Sequence, residues 1–591
     1  MLGECLEIFG NYTQEEREKR ILGDYIPKDG TYILVGKDGK IREVTEFRLD
    51  KKTGEINRNA EYLQDFLYYD YHSDLISMNK PLDAEKIIHS NNYLSFWVKK
   101  ESFLNGKLTP AVIEGYYDVL EHPERKCEKT KSLSIYRKLE EEIGPVDAEA
   151  LRRNKEWIEK NIFVLEEYVM TEWNIQIDFQ KKDYLKIFFE ADREIYQKEG
   201  DRYFIPNIYN SNQYNVTIED EVFGLPDNNQ GMNAKKPFLS IKTRKSTAPY
   251  LLNREEVMLQ KQFFDYLMNF ATVRKYNVYV DMKHNDFLAY KDTEYPPDEI
   301  SGFFLRIKKG KEVEIHDQDV VPFYDNRLKK PFEYENKLAI EDNKNPEYEF
   351  GKTCETLQEL EGMIDDIFFS RALIPNYFSE EEKIKITDEI LKRMLLVSRR
   401  KLFGWLRLGN DVDMRELLDK VSLELIKSSI LNEYMLKAAK QLNLRLSLMQ
   451  YFAKGGENMA DFSVEIRENL KTKIVSDEYV GIQNDREYYF AVGQLARYFV
   501  YLSKAGKKKQ SLINPFLNAR TDKKLKELLG RYYKKYNYAI SAGARRVSRL
   551  YGMVECYEPE GAILQDLLSA GFVIDNILLE KKDSIPIENE I

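Results

Sequence analysis

Apolar and polar residues alternate in short runs over the first part of the chain, and apolar residues recur at three- and four-residue spacing over the last part. The run from Thr31 to Ile56, TYILVGKDGKIREVTEFRLDKKTGEI, carries the alternation around an Asp-Gly turn, which predicts paired strands. Helical stretches interrupt these strands, as in KSLSIYRKLEEEI from Lys131. From Thr356 proline and glycine thin out. TLQELEGMIDDIFFSRAL, EEEKIKITDEILKRMLLVSRRKLFGWL and MRELLDKVSLELIKSSILNEYMLKAAKQL each carry one apolar stripe at helical period. A boundary is expected in NKNPEYEFGK, Asn343 to Lys352, and a second break at AKGGEN, Ala453 to Asn458. The predicted class is α+β: a mixed α/β N-terminal domain over residues 1–350, then an all-helical C-terminal bundle over 351–591.

Two of the later helices have predictable starts. Asn484 is placed to cap DREYYFAVGQLARYFVYLSKA, with Glu487 completing a capping box and Tyr489, Val492, Ala496 and Phe499 facing the core. Thr521 is placed to cap DKKLKELLGRYYKKYNY, whose core stripe would be Leu525, Leu528, Leu529, Tyr532 and Tyr536.

Composition permits a sizeable core: 591 residues, 43% apolar and 32% charged, with a net charge of −10. That total conceals a segregation. Between Ala491 and Leu550 fifteen Lys and Arg face two acids, a net of +13, so the remainder of the chain carries −23. Asymmetry on this scale points to a polyanionic or acidic partner for one region.

Conventional catalytic patterns are missing. Cys5, Cys127, Cys354 and Cys556 form no CxxC pair, which argues against a zinc ribbon and fits a reducing cytoplasm. The five histidines include no HxxxH or HxH spacing. His316-Asp317 is an isolated His-Asp dipeptide. Gly351-Lys352-Thr353 resembles the end of a phosphate loop, but Pro346 occupies the position of its first glycine. No signal peptide or membrane span is expected, and no metal site or cofactor. The chain is not expected to be an enzyme.

Two segments carry other chemistry. Between Asn228 and Tyr250 stand Lys235, Lys236, Lys242, Arg244 and Lys245 with no acid, preceded by Asn228, Asn229, Gln230 and Asn233 around Gly231. Acid-free basic runs suit phosphates, and amide side chains pair bidentately with adenine edges. A solvated loop rimmed by lysines is the other reading. The second segment is the +13 stretch, with Lys507, Lys508, Lys509, Lys523, Lys524, Lys526, Arg531, Lys534, Lys535, Arg545, Arg546 and Arg549. Solvated helix faces usually interleave acids, so this stretch is read as a phosphate track.

Several stretches resemble one family. MNKPLDAEKIIHSNNYLSFWVKKESFLNGKLT from Met78 is similar to the N-terminal signature of the Csh-type large subunit of type I-B CRISPR Cascade. IPKDGTYILV from Ile26 and NAKKPFLSIKTRKSTAPYLLNREEVMLQKQFFDYL from Asn233 are similar too. So are YYFAVGQLARYFVYLSKAGKKKQSLINPFL from Tyr488 and SAGFVIDNILLEKK from Ser569. The resemblance implies a non-catalytic subunit of a crRNA-guided DNA surveillance complex. It would contact the crRNA, recognise the motif flanking the double-stranded target (the PAM), hold the displaced strand of the R-loop and help recruit a helicase-nuclease. Its protein partners would be the Cascade backbone subunits and a small subunit. Within that frame the loop from Asn228 is the first candidate for motif reading. Asn91 and Asn92, followed by Lys99 and Lys100, are the second, with a turn into a buried strand as their other reading.

The resemblance also implies a small subunit translated from inside the gene. Gly455-Gly456-Glu457 can be encoded as a purine-rich ribosome-binding run ahead of Met459, giving a product of residues 459–591 expected to form a small bundle by itself. A chance Gly-Gly loop is the alternative, and the codons themselves decide it. Two other function classes remain open: a metal-dependent nuclease using His316 and Asp317, and a protein–protein scaffold whose basic surface meets an acidic partner.

Overall fold

The computed structural model describes residues 1–50, 52–212, 215–227, 251–310, 312–341, 348–453, 464–503, 510–540 and 545–580. The architecture is α+β, with a helical C-terminal part, as the hydrophobic pattern predicts. The chain forms two compact units. The first comprises residues 1–291 and 301–322, the second residues 292–300 and 323–591.

Two four-stranded sheets form the frame of the first unit, apart from strand ends at residues 299–300 and 323–325. One has the order β2-β1-β4-β3, from β1 (Gly30–Val35), β2 (Ile41–Phe47), β3 (Ser95–Lys99) and β4 (Tyr184–Phe189). β1 pairs antiparallel with β2 and parallel with β4, so it is central, and all six of its residues are buried. That explains a continuous apolar run where an edge strand would alternate. A small hairpin, β5 (Val216–Ile218) with β6 (Glu221–Phe223), follows. The other sheet has the order β10-β9-β7-β8, from β7 (Asn277–Asp281), β8 (Asp286–Tyr290), β9 (Glu299–Lys309) and β10 (Val313–Asp325). An aromatic cluster of Phe9, Phe263, Tyr266 and Phe287 joins this sheet to the helices Leu2–Gly10 and Arg254–Thr272.

The second unit contains a two-stranded sheet, β11 (Arg327–Glu333) with β12 (Thr353–Thr356), and a helical bundle. Its longer segment starts ahead of the expected 343–352 boundary, at Phe323, and the strand β11 and the segment after it are tied to the bundle. Tyr334 Oη donates to Lys440 O (3.2 Å), and Asn443 Oδ1 accepts from Leu338 N (3.0 Å). The long stripe from Met414 also divides: helices Met414–Leu431 and Met435–Tyr451 flank a turn in which Glu433 has φ +62°.

Helix Asp485–Leu502 is the bundle's centre. Asn484 Oδ1 accepts from Glu487 N (2.9 Å), as expected of the cap. Glu487 does not complete a box, because its carboxylate instead takes Lys473 (2.7 Å) and Gln483 N (3.1 Å). The predicted stripe is buried, and so are Tyr488, Phe490, Ala491 and Leu495, since other helices surround this one on most sides. Gly493 and Gly571 let it touch helix Gln565–Val573 backbone to backbone. A Cβ on Gly493 would stand 2.4 Å from Leu568 O. Gln494 seals the crossing by donating to Gly571 O (2.7 Å) and accepting from Ile577 N (2.8 Å).

The core that contains these helices continues into the preceding ones through Ile426, Ile430, Ala438, Leu442 and Leu446. A product of residues 459–591 would present that apolar face without these helices. Met459 lies outside the described residues.

Candidate nucleic-acid interface

Helix Asp522–Tyr536 starts at Thr521, whose Oγ1 accepts from Lys524 N (3.3 Å). Its buried stripe is the predicted one, Leu525, Leu528, Leu529, Tyr532 and Tyr536. At 3.6 residues per turn, that leaves Lys523, Lys524, Arg531, Lys534 and Lys535 on roughly a third of the circumference, away from the core. All five are exposed. Lys523, Arg531, Lys534 and Lys535 meet no carboxylate among the described residues, while Lys524 lies 3.3 Å from the exposed Glu527. Tyr538, 67% exposed, extends the surface with a ring that folding leaves in water.

The other cations of the expected track have partners. Lys526 donates to Tyr557 O (2.6 Å) and to Glu558 (2.9 Å). Arg546 donates to Glu580 O (3.0 Å), and Arg549 to the carbonyls of Ser476 and Glu478. Arg545 stands 3.5 Å from Asp477 with both side chains exposed. Lys507, Lys508 and Lys509 lie outside the described residues. The described track thus narrows to one face of one helix.

The amide-rich segment, with Asn228, Asn229, Gln230, Asn233, Lys235, Lys236, Lys242, Arg244 and Lys245, also lies outside the described residues. Its roots are firmly held. Gly224 and Leu252 exchange two backbone hydrogen bonds of 2.9 Å. Asp227 pairs with Lys80 (2.7 Å) and accepts from Asn210 (3.1 Å), and Lys80 also donates to Asn207 O (2.7 Å).

Three of the second-choice motif readers need correction. Asn91 and Asn92 are 1% exposed. Asn91 Nδ2 donates to His72 O (3.0 Å) and Asp74 O (2.7 Å); Asn92 Nδ2 donates to Ser73 Oγ (3.1 Å) and its Oδ1 accepts from Leu94 N (2.9 Å). They brace the turn into β3. Lys100 is fully buried beside Asp183 (2.8 Å), so only Lys99 remains at the surface.

His316 Nε2 lies 2.7 Å from Glu314 on the exposed strand β10. Among the described residues no group of three or more His, Cys, Asp or Glu is placed to hold a metal ion. Burial pushes the Cys5 thiol up to about 12, and those of Cys127 and Cys354 up to about 11, so none is a ready thiolate. No helix among the described residues is long and apolar enough to cross a membrane.

Residue spacing gave no sign of a cavity of about 410 Å³ in the second unit. Phe323, Trp405 and Tyr451 line it, together with Asp325, Arg327 and Asp411. These residues come from strands and helices spread over more than a hundred positions, so no local pattern could reveal it.

The described residues therefore define an α+β chain whose helical unit exposes one helix face with five cations and a single acid, Glu527. No protein-family model matches the chain, and neither the curated proteins nor the solved structures contain a match.

Proposed function

We propose that this chain is the non-catalytic large subunit of a crRNA-guided DNA surveillance complex, resembling the Csh-type subunit of type I-B Cascade. In this reading it recognises the target-flanking motif, stabilises the R-loop and helps recruit the helicase-nuclease. The observation that carries the reading is the face of Lys523, Arg531, Lys534 and Lys535, four exposed cations without a carboxylate among the described residues. On a chain of net charge −10, so local an excess supports a strand-holding role. The pinned roots of the 228–250 segment support motif reading there, because contacts to base edges need a fixed origin.

Guide pairing would supply the long-range specificity, leaving this chain a few flanking base pairs and the unpaired strand. The test is reconstitution of the full chain with guide RNA and the backbone subunits, followed by binding to duplexes that differ only in the flanking motif. The expected result is binding to one motif class and RNA that copurifies, read as absorbance at 260 nm. Equal binding to every duplex, or no nucleic acid bound at low salt, would overturn the proposal. The second of those results would favour a scaffold that meets an acidic protein.

A further inference from the structure

The cavity in the second unit joins three kinds of group in one place. Its walls are aromatic: Trp405 packs on Phe452 at 5.3 Å between centroids, and Tyr451 on Phe332 at 5.9 Å. At its lip Phe323 is 61% exposed, an apolar ring left in water. Strand β11 brings Arg327 and Lys329, 73% and 75% exposed at the side chain, and Lys330 lies over the Tyr451 ring at 5.1 Å. The acceptors are Asp325, hydrogen-bonded to Arg327 (3.0 Å), and Asp411, paired with Lys329 (2.6 Å). Those bonds from Arg327 hold the Asp325 carboxyl below the usual range, so it is acceptor-only near neutrality.

The wall is built for closeness. Gly409 ends helix Glu389–Leu408 at φ +78°, and a Cβ there would stand 3.0 Å from Phe323 O. Its N–H bonds to Trp405 O (3.0 Å), closing the last turn of the helix that carries the indole.

We infer that this cavity receives one unpaired nucleobase, stacked on Phe323 and Tyr451 above the floor that Trp405 forms, with Asp325 and Asp411 accepting from its exocyclic amine and the β11 cations meeting the flanking phosphates. A volume of about 410 Å³ falls in the usual range for small-ligand sites, about 300–1,000 Å³. Rings stack on any base face, and carboxylates accept from the N4 amine of cytosine. Exposed ion pairs such as Lys329–Asp411 are weak, so both partners can exchange toward a nucleotide. A cytosine-containing strand is thus preferred over thymine. The proposed function supplies the source of the strand, displaced DNA or guide RNA; the pocket itself rests on the cavity's chemistry.

The test uses the full chain with oligodeoxycytidylate, its ribose counterpart, oligothymidylate, and an abasic strand, followed by fluorescence anisotropy. Phe323→Ala removes an exposed ring and leaves the core untouched; Tyr451→Leu is the second variant. Loss of one stacked base predicts binding to oligodeoxycytidylate weakened about five- to hundredfold, with the abasic strand unaffected. A parallel loss on the ribose strand identifies guide RNA as a source, and a loss on deoxyribose alone identifies the displaced strand. Unchanged binding in both variants overturns the pocket. If in that case Lys534→Glu with Lys535→Glu still weakens binding, the strand-holding reading stands without it; if neither set does, both fall.

Discussion

Removing the free cations of helix Asp522–Tyr536 should change the salt dependence of strand binding by a calculable amount. The perturbation is Lys523→Ala, Arg531→Ala, Lys534→Ala and Lys535→Ala together. From Lys523 to Lys535 the helix advances about 18 Å at about 1.5 Å per residue. One strand of a duplex carries a phosphate about every 3.4 Å, so about five phosphates fit along that length. Each of the four cations can therefore meet a different phosphate. Single-strand binding changes slope by about 0.7 per phosphate neutralised, so the four together account for about 3 units of log K against log salt. Between 50 and 200 mM salt, the advantage of wild type over the variant should shrink about fiftyfold.

The assay is anisotropy of a labelled single strand, titrated with full-length protein at several salt concentrations. Lys526→Ala is the control, since its ammonium already serves Tyr557 O and Glu558. It should leave the slope unchanged. The four alanines replace exposed side chains with the best helix former, so fold stability should move by no more than about 0.5 kcal/mol per site. A slope within about half a unit of wild type would refute the reasoning, as would an equal drop from Lys526→Ala alone.

Further expectations concern stability and motif reading. Glu361 and Arg407 form a fully buried pair at 2.7 Å, and Arg407 also lies 3.7 Å from the Tyr295 ring. Glu361→Gln leaves a buried guanidinium uncompensated and should cost about 3–5 kcal/mol in urea unfolding, against near-neutrality if the pair is dispensable. His72 Nε2 is sealed from water without a hydrogen-bond partner, and burial, then Lys261, brings its pKa down to about 3. The folded state therefore binds fewer protons than the unfolded chain, whose histidine titrates near 6.5; this stability is whole above that pH and is lost as pH falls. The loss is about 1.4 kcal/mol per unit, or roughly 3 kcal/mol by pH 4.5. Asp201 and Asp365, raised to about 6 by burial, act in the opposite direction between about pH 4 and 6, so the comparison must be with His72→Phe. Identical urea midpoints across pH for both proteins would dismiss the effect. Asn228→Ala, Asn229→Ala and Gln230→Ala together should weaken binding only to targets with the correct flanking motif, whereas equal losses on all duplexes would make that segment a phosphate contact.

Periodicity located the helices well where burial is one-sided, as at Leu525, Leu528 and Tyr532. It failed where one residue alters the backbone: Glu433 at φ +62° breaks a stripe that continues unbroken in sequence. The second unit reaches back ahead of the helical periodicity for a related reason. Tyr334 and Leu338 lie in a stretch of strand-like composition, yet their partners are Lys440 and Asn443, a hundred residues on. Charge counting located the basic region but could not say which of its cations are free. Arg546 and Arg549 are satisfied by carbonyl oxygens, which have no charge signature in a sequence. Asn91 and Asn92 mislead in the same way, because an amide that braces a turn and an amide that reads a base are the same residue.

A face of this kind limits what it can recognise. Four cations on one helix would hold phosphates through counterion release, which is indifferent to base identity and fades with salt. Had all fifteen Lys and Arg between Ala491 and Leu550 been free, the region would grip any polyanion strongly. Lys526, Arg546 and Arg549 are neutralised internally, which would moderate such a grip, so in the proposed reading discrimination comes from contacts outside this face. Base edges at the 228–250 segment and a stacked base beside Phe323 are the two such contacts proposed above, and in that reading each would meet the track through a shared strand. The salt slope should therefore follow the helix residues while base preference follows Phe323. Substitutions at the two places should be additive in binding free energy to within about 0.5 kcal/mol, and a larger coupling would place both on a single nucleotide.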